Sequence, residues 1–210
     1  MRSIGGMCHV EALERSVPLT PMALESDFVA LEPLTLDHIA GLEHAAADGE
    51  LWNLRVTHVP MAGGMRAYVE AALAMQANGD SLPFAVRDKR DGAIAGSTRY
   101  YDFKSDVPRV LIGYTWYAAS RQHTHVNTAC KLLLLEHAFS ALACAAVGWE
   151  TDILNTRSQH AIERLGAHRD GVLRAHKLRH DGTLRDTVAY SMLASEWPAA
   201  RTRLAAKLVR

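Results

Sequence analysis

The densest set of chemically capable residues lies between Tyr114 and Lys131. Arg121-Gln122-His123-Thr124-His125-Val126-Asn127 brings a cation, two imidazoles, a hydroxyl and two amides to a turn between an aromatic, β-branched run and a long apolar run. If the first run is a strand and the second a helix, the turn is an anion site. The first N–H groups of a helix have no intrahelical partners and sit at the positive end of its macrodipole, so they hold a phosphate without charged side chains. Lys131, one turn into that helix, could reach such a phosphate or could simply run its stem toward solvent. A second polar group, Asn155-Thr156-Arg157-Ser158, has the spacing of a helix cap and its N3 residue. Glu150, Asp152, Asp102 and Tyr190 are candidate proton relays, and spacing singles out none of them. His123-x-His125 is the tightest pair among the eleven histidines, but no third ligand stands at a recurring spacing and HExxH is absent, so no metal is expected. Neither GxGxxG nor GxxxxGK[ST] occurs, which argues against dinucleotide dehydrogenases and P-loop NTPases.

These residues need a scaffold, and 210 residues at 23.1 kDa with 49% apolar and 22% charged side chains suffice for one core. Lys plus Arg (23) cancels Asp plus Glu (23), so no overall field draws the chain to nucleic acid or an anionic membrane. Apolar stretches such as Leu132–Leu135 fall far short of the roughly 18 to 20 residues of a membrane span, and the N-terminus lacks the apolar segment of a secretory signal. A cytoplasmic protein is expected. Cys8, Cys130 and Cys144 form no CxxC pair and read as small buried hydrophobes rather than a disulfide framework.

Residues 1–24 read as a flexible extension holding at most a short strand, and 25–210 as the domain. Phe28–Leu34 is strand-like; Thr35 caps a helix with Leu36, Ile39 and Leu42 on one stripe, stopped at Gly49. A second helix covers Met65–Ala77 and ends at Asn78-Gly79. Pro83–Val86 and Ala93–Tyr100 flank the turn sequence DKRDG, and Arg109–Tyr117 makes a third strand in series. Residues 126–147 read as a buried helix of about 20 residues broken by Gly148. Then come a strand at Trp149–Leu154, a short helix from Asn155 to Leu165 stopped by Gly166, strands at Gly171–Arg179 and Leu184–Leu193, and a last helix from Glu196 to Leu208 with Pro198 in its first turn. The order is β-αα-βββ-α-β-α-ββ-α.

Trp116-Tyr117, Val126-Asn127-Thr128, Lys131 with its leucines, His137-Ala138-Phe139, Asn155–Ser158, Ala161–Ala167 and Arg185–Ser191, taken in order, resemble a GNAT-superfamily N-acetyltransferase of the RimJ/RimL-like branch. The resemblance covers about residues 25–205. It implies an α/β fold, a mixed central sheet with two splayed parallel strands flanked by helices, with acetyl-CoA as cosubstrate, no metal and a primary amine as acceptor. The amine could belong to a small molecule or a protein N-terminus. By the same resemblance the pantetheine arm enters between Val110–Tyr117 and Trp149–Leu154, and backbone N–H groups of Gln122, His123, Thr124, His125, Val126 and Asn127, helped by Lys131, hold the pyrophosphate. Donors at Tyr114, Thr115 and Trp116 polarise the thioester carbonyl. Asn155 holds a cofactor amide or caps its helix, Ser158 donates a proton to the leaving thiolate, and Glu150 is among the relays that deprotonate the amine during direct attack in a ternary complex. The assembly is either a monomer or a homodimer.

Three positions depart from that pattern. His125 stands where relatives carry glycine, and so either contacts phosphate or crowds it. Leu111 replaces a carboxylate, and Ile162 replaces a tyrosine. A catalytically silent acyl-CoA-binding or interaction module, and a scaffold that binds no CoA, therefore remain alternatives. Acceptor choice is expected to reside in the first two helices and the turn at Arg179–Leu184.

Overall fold

The computed structural model describes residues 20–104 and 106–208; the expected extension over 1–24 therefore lies largely outside the described residues. Its end does form structure: β1 (Leu24–Glu25) pairs antiparallel with β2 (Val29–Pro33). A 3-10 turn at Leu36–His38 leads into α1 (Ile39–Ala47), and α2 covers Met65–Ala77. Then follow β3 (Ser81–Asp88), β4 (Ile94–Lys104), β5 (Arg109–Tyr117), α3 (His125–Glu136), β6 (Ala146–Asp152), α4 (Thr156–Glu163), β7 (His168–Leu178), β8 (Leu184–Leu193) and α5 (Trp197–Ala206).

The strands form one eight-stranded sheet in the order β1-β2-β3-β4-β5-β6-β8-β7, antiparallel except where β5 meets β6. The crossover through α3 makes that one pair parallel. Each sheet face carries its own core. On one, α3 and α5 cover Phe84, Tyr100, Val110, Ile112, Val147, Trp149, Val188 and Tyr190. On the other, α1 and α2 cover Ala85, Trp116 and Ala118.

The long helix expected over 126–147 is shorter. Regular α-helix stops at Glu136, a π-helical turn occupies His137–Ala141, and Ala146-Val147 already belong to β6. Both segments are apolar, and period alone does not separate a buried helix end from a buried strand start. Gly148 is thus a strand residue rather than a helix breaker. A Cβ there would lie 2.5 Å from Leu111 Cδ2, so β5 and β6 can approach at this point only because the side chain is missing. Cys130 and Cys144 are free and buried.

Candidate active site

The parallel ladder between β5 and β6 is brief: Arg109, Val110 and Leu111 pair with Ala146, Val147 and Gly148, and the two strands pair no further. β5 nevertheless continues to Tyr117 and β6 to Asp152. From Ile112 onward the two strands diverge, leaving a wedge whose β5 edge has no strand partner among the described residues.

A bulge in β5 lies at the start of that wedge. Arg99 pairs with Gly113 and Ser97 with Trp116, so three steps along β5 match two along β4, and Tyr114 takes the left-handed conformation (φ 51°). The extra residue reverses the alternation of side chains. Before it, Val110 and Ile112 point to the α3 core; after it, Tyr117 does, while Trp116 packs against α1 and α2. Gly113 fits because the Tyr101 ring crosses it, with Cε1 2.6 Å from where a Cβ would be.

The reversal turns Thr115 toward α3, where Lys131 Nζ donates to Thr115 Oγ1 at 2.8 Å and to Thr98 Oγ1 at 3.3 Å. Lys131 is only 5% exposed and has no carboxylate partner among the described residues. Burial pushes its ammonium down to about 8. The structure therefore corrects the expected phosphate contact: Lys131 points under the bulge, because the helix face carrying it packs on the sheet. Thr115 likewise offers the wedge its backbone, since its hydroxyl is engaged below.

On the opposite face Arg99, 3% exposed, lies between two aromatic rings, its guanidinium carbon 4.5 Å from the Tyr114 centroid and 4.9 Å from that of Tyr68. Tyr101 meets Tyr114 edge-on at 5.3 Å, and Trp116 Nε1 donates to Tyr68 Oη at 3.1 Å. Nothing in the sequence marked this cluster; the one available signal was the slip in alternation across Ile112-Gly113-Tyr114-Thr115.

The turn before α3 is tied down on every side. Asp88, itself buried, accepts from Arg121 Nη1 at 2.8 Å and lies 3.1 Å from His125 Nε2. Ser120 N donates to Asp48 Oδ2, and Gln122 Nε2 donates to Tyr117 O at 2.8 Å. Thr124 is the N-cap, its Oγ1 accepting from Val126 N at 3.3 Å. The His125 imidazole is buried beside Phe28 and Asp88. Exposed His123 adopts φ 61°. Val126 is core, and Asn127 is half-buried in the first turn of α3.

Across the wedge, Asn155 caps α4 through Oδ1, which accepts from Ser158 N at 3.0 Å and leaves its Nδ2 free of partners among the described residues. The Ser158 hydroxyl likewise makes no hydrogen bond among the described residues. Arg157 donates to Gln122 Oε1, linking α4 to the turn over the wide end of the wedge. Of the expected relays, Glu150 stands on the Arg99 face of β6 and is held by Lys177 Nζ at 2.7 Å. Asp152 is engaged by the Arg179 fork at 2.6 and 2.9 Å; burial raises its carboxyl, and the Arg179 and Leu154 hydrogen bonds outweigh that and hold it below the usual range. Tyr190 faces the other core and donates to Glu163; burial and that carboxylate push its phenol up to about 12. Asp102 pairs with Lys104 at the far end of β4. Only Glu150 remains near the wedge without a guanidinium fork.

An open parallel pair, a bulged strand and a helix N-terminus at its mouth point to a carrier of a long phosphate-bearing arm. The profile of the acetyltransferase (GNAT) domain matches residues 29–168. The chain belongs to the GNAT acetyltransferases. Its fold and its dependence on acetyl-CoA follow from that membership. A T. thermophilus protein described as an acetyltransferase is 32% identical, with TM-score 0.79 over 90% of this chain and 98% of that one. A GCN5-related N-acetyltransferase from Brucella melitensis is 28% identical, with TM-score 0.79 over 91% and 87%. RimJ of Mycobacterium smegmatis in complex with CoA-disulfide shares the fold at 24% identity, with TM-score 0.71 over 91% and 95%. No curated protein matches the chain. Among the described residues, no helix of this GNAT protein is long and apolar enough to cross a membrane, and no group of three His, Cys, Asp or Glu could hold a metal ion.

Proposed function

We propose that this GNAT protein is an N-acetyltransferase acting on a primary amine, small-molecule or protein N-terminus, by direct attack in a ternary complex. The observation that carries the reading is the β5–β6 ladder ending after three pairs, beside a capped helix N-terminus whose one unusual residue, His125, is turned into the core. Acetyl-CoA supplies the activated acetyl thioester. Amides of the turn 122–127, other than those of Gln122 and Val126, which are bonded within the turn, hold its diphosphate, and the β5 edge beyond Leu111 hydrogen-bonds the arm as a strand would. In this reading backbone N–H groups at Tyr114 to Trp116 stabilise the negative charge that develops on the acyl oxygen.

Glu150 is the relay through which the ammonium of the acceptor loses its proton, directly or by water, since an alkylamine is protonated at neutral pH. Ser158 Oγ is the proton donor to the departing thiolate, and Asn155 Nδ2 orients an amide of the arm. The test is thermal denaturation with acetyl-CoA, followed by thiol release with a panel of amines. A rise in Tm and amine-dependent thiol release are expected. Unchanged Tm at millimolar acetyl-CoA overturns the reading, and binding without turnover identifies a silent acyl-CoA-binding module.

A further inference from the structure

The face of the sheet opposite α3 carries more positive charge than its own partners neutralise. Arg99 is buried, and among the described residues its Nε has no partner and its Nη1 has only the Met75 sulfur at 3.6 Å. Across the wedge on β8, half-buried Arg185 also has an unpaired Nε. Neither forms an ion pair among the described residues. Tyr101 follows Arg99 two residues on along β4, its ring touches Tyr114, and the Arg185 charge acts on both Tyr101 and His58. The acids of this face have cation partners of their own: Glu150 has Lys177 and Asp152 has Arg179.

Desolvating a guanidinium is costly, and two tyrosine faces and a thioether offset part of that cost without satisfying its N–H donors. Arg99 is also placed one strand from the bulge, opposite Gly113, where an acceptor amine would meet an acyl group. Its two faces are covered by Tyr68 and Tyr114, so a ligand can reach it only in the plane of the guanidinium. A flat carboxylate meets such an edge fork to fork; a tetrahedral phosphate would drive oxygens into the rings.

Resting on the acetyltransferase reading above, we infer that the acceptor carries a carboxylate near its amine, received by Arg99 and Arg185. Acidic amino-acid-like amines and peptides with an acidic residue at or next to the N-terminus are the matching class. A half-exposed Tyr114 on a bulge is the ring that must swing to admit the carboxylate.

The test is thiol release at saturating acetyl-CoA with matched acceptors: ω-amino acids of two to five carbons, their amides, their phosphonate counterparts, and C-terminally amidated dipeptides beginning with Asp or Asn. The acids are expected to exceed their amides by about ten-fold or more in kcat/KM, mostly through KM, with phosphonates behaving like amides. Arg99→Met and Arg185→Met should bring the acid-to-amide ratio toward one, and Arg99→Lys should restore it only in part. Equal use of acids and amides, a preference for phosphonates, or variants that lower both members of each pair equally would overturn the inference. If Arg99→Met does not fold, Arg185→Met decides alone. Stabilisation by acetyl-CoA with no turnover of any acceptor removes this inference while leaving the cofactor assignment intact; no stabilisation removes both.

Discussion

β6 has two neighbours and treats them differently. Against β8 it pairs over seven residues, from Ala146–Leu193 to Asp152–Thr187; against β5 it pairs over three and then parts. The same strand, whose successive N–H groups point alternately to its two neighbours, is zipped on one side and open on the other, so the opening is not a weakness of β6. The cause lies in β5, whose bulge at Tyr114 increases local twist and is held from both faces, by Lys131 below and by Arg99 and Tyr101 at its side. A wedge in a sheet is thus built by stiffening one of its walls.

The most disruptive way to break this contrast is Gly96→Ala. Gly96 has φ 155°, and a Cβ there would lie 2.0 Å from the Trp116 carbonyl oxygen, just where β4 and β5 regain register after the bulge. A loss of about 3 kcal/mol or more is expected by denaturant unfolding, and a midpoint close to wild type would show that the bulge does not depend on that contact.

Lys131→Met separates stability from activity. An ammonium held at about 8 instead of 10.5 costs on the order of 3 kcal/mol below pH 8. Thr98 and Thr115 already bond each other at 2.8 Å, so neither is orphaned by the change. The variant should gain about 2 kcal/mol at pH 7 while losing turnover as the bulge loosens. The pH dependence has a definite sign. Between about 8 and 10.5 the unfolded lysine keeps a proton that the folded one has lost, so wild-type stability rises through this window relative to the variant. Parallel stability curves across it would refute the buried charge.

Adding acetyl-CoA sharpens the contrast from the open side. At about 100 times its Kd the gain should be about 2.7 kcal/mol, and hydrogen exchange should slow on the β5 edge and at residues 122–127 while the β6–β8 ladder changes little. Thr124→Ala should cost about 1 kcal/mol through the lost cap and weaken acetyl-CoA binding, seen by calorimetry. Smallest of all, Arg157→Ala should alter stability by no more than about 0.5 kcal/mol, as an exposed residue, while shifting acetyl-CoA affinity if its link to Gln122 closes the wedge.

Much of the scaffold was legible beforehand. Helix and strand periods located almost every element, Asn78-Gly79 and Gly166 ended their helices, and DKRDG turned the β3–β4 hairpin. The end of α3 was not, because Ala141–Val147 is apolar in both the helical and the extended reading and only pairing with β5 and β8 decides it. In the site, the cap sequence Asn155–Ser158 and the turn before α3 could be read locally, since a cap is satisfied by neighbours in the chain. The direction of His125 and Lys131 could not. His125 follows Asp88, 37 residues away, and Lys131 follows Thr98 and Thr115 on two different strands.

By itself the sequence determined which segments are strands and helices, their order, and the placing of a helix N-terminus after the fifth strand, because those depend on contacts between near neighbours. The tertiary structure alone decided where the parallel ladder stops, which face each charged side chain takes after the bulge, and that Arg99 and Arg185 form no ion pair among the described residues. Each of these depends on the register between strands far apart in the chain, and a single inserted residue, Tyr114, reverses it.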